Sequence, residues 1–245
     1  MKNLNKILVL GDIHGRDCWK DIIERENPDN VIFLGDYVSS HEGISIEDQI
    51  ENLKEILDYK EANPDMVTLL RGNHDMEALG YYWAECYPNF GSTWLMQNKD
   101  RFLKDTQWLV EDDDVVFSHA GISQRWYDDM VAKYNITSIS DINNIEPNEM
   151  FGFSPCKMSD YTGTSATQPL TWIRPVGLIE YGIQDKIHVV GHSTIRHIVE
   201  LYDELHKNDP ENADMCKCHV WLCDCLPDEY LIIDNGKFIP KSLKF

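Results

Sequence analysis
Seven side chains have the makings of a metal centre. Asp12, His14, Asp36, Asn73, His74, His119 and His192 each stand two to four residues beyond a short apolar run. Carboxylate and amide oxygens beside imidazole nitrogens are the donors of a transition-metal site, and the set is rich enough for two ions with one histidine to spare.

The runs that must position them are Ile7–Leu10, Val31–Leu34, Met66–Leu70, Val115–Phe117 and Ile187–Val190. Short, charge-free and largely aliphatic, they read as buried strands of a parallel sheet. Glycines at or just beyond their ends (Gly11, Gly35, Gly72, Gly191) let the chain turn sharply and approach an ion, at the carboxyl edge where open α/β sheets bind ligands. Between the strands, Ser45-Ile46-Glu47-Asp48 opens a crossover helix, with Ile46, Ile50, Leu53, Ile56 and Leu57 at helical spacing up to Pro64. Trp94 to Phe102 and Gln124 to Tyr134 read as further helices, and the acidic run Glu111–Asp114 as a solvated turn between strands. His219–Cys223 and Glu229–Ile233 read as an antiparallel hairpin about Leu226-Pro227-Asp228. In that hairpin Cys216, Cys218, Cys223 and Cys225 share sheet faces, which competes with a zinc reading of the same cysteines.

The ordered motifs Gly11-Asp12-Ile13-His14-Gly15, Gly35-Asp36-Tyr37-Val38, Gly72-Asn73-His74-Asp75, His119-Ala120-Gly121 and Gly191-His192 resemble the calcineurin-like metallophosphoesterases. Within them they are most similar to the phosphoprotein phosphatase branch with its bacterial and phage relatives. The resemblance spans most of the chain and implies a four-layer α/β/β/α metallophosphatase sandwich over residues 1–245. It also implies one ion held by Asp12, His14 and Asp36, and a second by Asp36, Asn73, His119 and His192. Manganese suits such mixed donors, with iron or zinc as alternatives. Hydrolysis would proceed by direct attack of a metal-bridging hydroxide, with His74 as the acid that protonates the leaving oxygen.

Ser39 and Ser40 stand where the eukaryotic-type members carry an Asp that orients this histidine and an Arg that grips phosphate. Glu42 and Asp75 are the candidates to supply the missing charge, Glu42 first, because Asp75 can instead cap the helix that follows. For the phosphate, Arg174 in Leu170-Thr171-Trp172-Ile173-Arg174 looks like the LWxR segment of the bacterial and phage enzymes. Asn73 and Arg16 are further substrate contacts, whereas Arg71 reads as structural.

At 245 residues and 42% hydrophobic content the chain can bury a full core as one domain. The stretch 135–167 is a candidate cleft-covering insertion, and Tyr81, Tyr82, Trp83, Tyr87 and Phe90 are core or cleft-lining aromatics. No run approaches the roughly 18 apolar residues of a membrane span, and the first strand begins too early for a signal peptide. A cytoplasmic protein with seven cysteines as thiols is therefore expected. A formal charge of −20 disfavours nucleic acid and other polyanions. The reading reached is a metal-dependent phosphomonoesterase most like protein serine/threonine phosphatases, with a phosphorylated protein or a small phosphoester as partner. The alternatives are a diadenosine tetraphosphatase-like nucleotide hydrolase and, since Ser39 and Ser40 replace functional residues, a weakly active metal-binding scaffold.

Overall fold
The computed structural model describes residues 6–81, 92–152, 161–209, 211, 213 and 216–243. Its strands are β1 (Lys6–Leu10), β2 (Asn30–Phe33), β3 (Val67–Leu70), β4 (Thr106–Gln107), β5 (Leu109–Asp112), β6 (Val115–Ser118), β7 (Ile187–Val190), β8 (Val199–Glu200), β9 (His219–Leu222), β10 (Glu229–Asp234) and β11 (Lys237–Ser242). The helices are α1 (Trp19–Glu26), α2 (Ile46–Ala62), α3 (Asn73–Ala78), α4 (Ser92–Gln97), α5 (Lys99–Asp105), α6 (Gln124–Tyr134), α7 (Pro175–Tyr181) and α8 (Leu201–Asn208).

Two sheets result, in the orders β11-β10-β1-β2-β3-β4 and β5-β6-β7-β9-β8. The expected strands β1, β2 and β3 pair in parallel in the first, and β6 and β7 in parallel in the second. Period-two alternation explains why they are apolar throughout. On β1, Leu8 and Leu10 join Phe33, Leu53 and Ile56 in a core under the helices, while Ile7 and Val9 join Phe117, Val189 and Leu231 between the sheets. A third cluster, with Leu178, Val190, Val220 and Leu222, lies beneath α7 and α8 on the outer face of the second sheet. The layers are therefore helix, sheet, sheet, helix.

The Ser45 hydroxyl accepts the Asp48 N–H at 3.1 Å and starts α2 where expected. The Trp94–Phe102 helix is broken at Asn98 into α4 and α5, and α6 covers the span read from sequence. The acidic run is the turn joining antiparallel β5 and β6.

The hairpin expectation is corrected. β9 pairs with β7 and β8, whereas β10 pairs with β1 and β11, so Cys223–Asp228 carries the chain from one sheet to the other. Both strands are apolar enough to be central, and each finds its neighbours in a different layer. Cys216 and Cys218 line the outer core, and Cys223 and Cys225 the core between the sheets. Among the described residues no cysteine joins a cluster able to hold a metal, and burial pushes the Cys218 and Cys225 thiols up to about 12.

Of the segment 135–167, residues 153–160 lie outside the described residues. A short 3-10 turn (Ile139–Asn144) binds β5 through the Asn143 side chain, and Phe151 stacks on Trp108 at 4.0 Å. Tyr161 and Thr162, in contrast, reach the cleft. Of the aromatics near residue 85, Tyr81 packs against the core and Tyr82, Trp83, Tyr87 and Phe90 lie outside the described residues.

Candidate metal centre
The carboxyl ends of β1, β2, β3, β6 and β7 meet at one edge of the sandwich and open into a cavity of about 550 Å³. Asp12, His14, Arg16, Asp36, His41, Glu42, Asn73, His74, Trp172, Arg174, His192 and Asp224 are among its lining residues. His14, Asp36, Ser39 and His192 hold positive φ of 45°, 51°, 68° and 61°, a conformation that costs free energy in non-glycine residues and concentrates at working sites.

The turns bring the candidate donors together closely. A Cβ on Gly72 would collide with the Asp36 carboxylate and one on Gly191 with that of Asp12, so both turns require glycine. Asp75 ties the β2 and β3 ends to each other. Its Oδ2 accepts the N–H groups of Asp36 and Gly72, and its Oδ1 that of Tyr37, all at 2.9 Å.

Donor atoms of Asp12, His14 and Asp36 lie within 4.8 Å of one another, as do those of Asp36, His119 and His192, with Asp36 common to both groups. Asn73 joins the second group, its Oδ1 being 2.8 Å from His119 Nε2 and 2.9 Å from His192 Nδ1.

The protonation pattern tests whether cations fit. His119 Nδ1 is 2.9 Å from the Leu34 carbonyl, which can only accept, so Nδ1 carries hydrogen and the unshared pair of the neutral ring sits on Nε2. That nitrogen faces Asn73 Oδ1 and, at 3.4 Å, Asp36 Oδ2. Electron pairs thus converge where something positive belongs. Burial opposes a proton on His119, yet the Asp36 and Asp12 carboxylates outweigh it and hold its pKa near 10.

His14 repeats the arrangement. Its Nδ1 is 2.8 Å from the Val38 carbonyl, Nε2 faces the Asp12 carboxylate at 3.9 Å, and burial lowers its pKa to about 4, leaving the ring neutral. Burial and the nearby Asp224 push Asp12 well above the usual carboxylate range. Burial also works against the Asp36 charge, but His119, His74 and His14 overcome it and hold the group well below that range. His192 Nε2 is buried without a hydrogen-bond partner among the described residues. The donor set has the chemistry to hold metal, in two groups that share Asp36, each histidine being aimed by a backbone carbonyl or turn.

The substrate-side expectations divide. Arg174 lies at the cleft, its Nη1 donating to the His192 carbonyl at 2.8 Å and to Ser193 Oγ at 3.3 Å. Arg16 also lines the cleft, but its guanidinium forks onto both Glu42 oxygens at 3.1 and 2.7 Å and onto the Asp12 carbonyl at 3.0 Å. Arg71 is structural, bonded to Thr106 and the Leu103 carbonyl.

The two carboxylates nominated as partners of His74 make other contacts. Glu42 is engaged by Arg16, and Asp75 caps α3 and the β2 turn. Among the described residues, the carboxylate within ion-pair distance of His74 is Glu77, with Oε2 3.8 Å from Nδ1. Sequence reading missed it, although the three-residue step from His74 on a helix opening at Asn73 was available. It also missed His41, whose ring centroid lies 5.6 Å from that of His14, and Asp224, placed in the cleft by the passage between sheets and bonded to Thr194 Oγ1 at 2.9 Å.

Comparisons with known proteins agree with this geometry. The Calcineurin-like phosphoesterase family model matches residues 5–217. A Schizosaccharomyces pombe protein assigned by name to the serine/threonine-protein phosphatases is 33% identical over 130 residues, covering 48% of this chain and 39% of that relative. The chain thus aligns with well under half of that relative's length.

Among solved structures, the cold-active protein-tyrosine phosphatase of a psychrophilic Shewanella species superposes with a TM-score of 0.61 at 17% identity, covering 98% of this chain and 78% of that one. A Saccharomyces cerevisiae protein serine/threonine phosphatase gives 0.59 at 14% identity, covering 98% and 80%. Both likenesses speak to the fold. The chain belongs to the calcineurin-like phosphoesterases, a family of metal-dependent phosphoester hydrolases. Among the described residues no helix is long and apolar enough to cross a membrane.

Proposed function
We propose that the chain is a phosphomonoesterase acting on phosphorylated protein side chains, with two ions held by Asp12, His14 and Asp36 and by Asp36, Asn73, His119 and His192. The observation that carries this reading is the convergence of unshared pairs from His119, Asn73 and Asp36 in the same cleft as Arg174 and His74. Bound ions supply charge for the phosphoryl oxygens and bring the pKa of water into the range of a nucleophile.

The chain's own groups do the rest. Arg174, anchored through Nη1, turns its remaining donors to the non-bridging oxygens, and Arg16 adds charge at the rim. His74 gives a proton to the leaving oxygen, worth roughly two to four orders of magnitude when the leaving group is an alkoxide. Trp172, 5.6 Å from the His192 ring, and Tyr161 wall the cleft.

A protein substrate is favoured by the similarity to the S. pombe protein and by the charge of −20, which repels the several phosphates of a dinucleotide. The test is a panel with manganese-loaded protein: p-nitrophenyl phosphate, a phosphoserine peptide, a phosphotyrosine peptide and a dinucleoside polyphosphate. Hydrolysis of the peptides, abolished by His74→Asn, is expected. Exclusive turnover of the dinucleotide would replace the protein-phosphatase reading, and inactivity on every ester would remove the enzyme reading.

A further inference from the structure
In the α-helix α3, residues three apart lie on one face, so a helix opening at Asn73 sets Glu77 beside His74. The Glu77 carboxylate oxygen is 3.8 Å from His74 Nδ1, and both side chains are more than four-fifths buried, at 14% and 13% exposure. The carboxylates nominated from the sequence face other groups. Glu42 is forked onto Arg16, and Asp75 accepts three backbone N–H groups. Ser40 Oγ accepts the Glu42 N–H at 3.2 Å and so shapes its own loop. The imidazoles of His14 and His41 lie 5.4 and 6.1 Å from the ring between centroids, and Asp36 Oδ1 accepts the His74 backbone N–H at 2.9 Å.

We propose that Glu77 is the positioning residue of the proton donor. It holds His74 with Nδ1–H turned toward the helix and Nε2–H turned into the cleft. This inference rests on the phosphatase reading above. In the step it serves, a bond forms between phosphorus and a water-derived oxygen while the bond from phosphorus to the leaving oxygen breaks. The leaving oxygen keeps that bonding pair and takes the Nε2 proton, and His74 returns to the neutral ring with its Nδ1 hydrogen retained. Glu77 exchanges no proton and touches no substrate. A carboxylate one helical turn away thereby replaces the one that the loop after Asp36 lacks, with Ser39 and Ser40 in its place.

Leaving-group dependence separates this role from a structural one. A p-nitrophenolate departs readily without a proton, and an unactivated phenolate does not. Glu77→Gln is expected to lower kcat on phenyl phosphate about 30-fold while p-nitrophenyl phosphate changes less than about 3-fold, a share of the general-acid effect. In the His74→Asn background the same substitution should cause no further loss. Equal losses on both esters, or an undiminished loss in that background, would overturn the proposal. Independently of turnover, the ring ¹⁵N resonances of His74 in zinc-loaded protein, assigned with His74→Asn, should move in Glu77→Gln, and unchanged resonances would overturn it. A wild-type chain inactive on every monoester would instead sink the phosphatase reading, with the nitrogen spectrum still deciding whether Glu77 holds the ring.

Discussion
At the scale of single residues the site is a set of donors whose protons and charges are unbalanced until a cation arrives. Asp75 makes that set possible without entering it. Three backbone N–H groups from two separate turns end on its carboxylate. Asp75→Ala orphans all three inside the protein, at about 1 to 3 kcal/mol for a buried donor. Chemical denaturation should show a loss of about 3 kcal/mol or more, together with reduced metal content by elemental analysis. Retained stability would mean that the turns hold themselves.

Much of this layer was legible in the sequence. Asp12, Asp36, Asn73, His119 and His192 each follow an apolar run closely, and the strand that buries the run aims the donor. Glu77, His41 and Asp224 were harder to read. The first depends on where α3 begins, the second on the course of an irregular loop, and the third on a chain crossing that no local pattern marks.

At the scale of elements, turns at the strand ends do the positioning. The β3–α3 turn approaches the end of β2 so closely that Gly72 cannot carry a side chain without displacing Asp36. Gly72→Ala should therefore weaken metal binding at least tenfold and lower stability by about 1 to 3 kcal/mol, as other overpacked sites do. Calorimetric titration with manganese and a denaturation curve would check both effects, and unchanged affinity would show that the turn can yield.

Strands and crossover helices were readable because their periods and caps are local: β1, β2 and β3 from charge-free runs, α2 from Ser45 and its apolar stripe. The pairing of β9 and β10 was not. Two apolar strands separated by a turn look the same whether they pair with each other or with strands of different sheets, and only the competition among the strands of both sheets settles it.

At the scale of the whole molecule, the first sheet joins the two ends of the chain, with the C-terminal strands β10 and β11 laid beside β1. Glu26 at the end of α1 is buried against the C-terminal strands. Its carboxylate accepts from Tyr230 Oη at 2.7 Å and from Lys241 Nζ at 2.8 and 3.0 Å, and pairs with Lys6 at 3.1 Å. Burial alone would raise its pKa, but Lys241, Tyr230 and Lys6 overcome that and bring it from 4.5 to about 2. A depressed acid stabilises the fold fully above its unfolded pKa and loses that contribution as pH falls through the folded one. Glu26→Gln should therefore cost on the order of 2 kcal/mol at pH 7. It should also flatten the fall in melting temperature between about pH 5 and 2, and an unchanged acid limb would contradict the assignment.

On the proposed reading, the edge shared by the two sheets holds two cations through one common carboxylate. Calorimetric titration of the metal-free chain with manganese measures it directly. Two ions per chain are expected for the wild type, and neither tightly bound ion for Asp36→Asn. A wild-type chain that takes up no manganese, or an Asp36→Asn chain that still binds two ions unchanged, would contradict it.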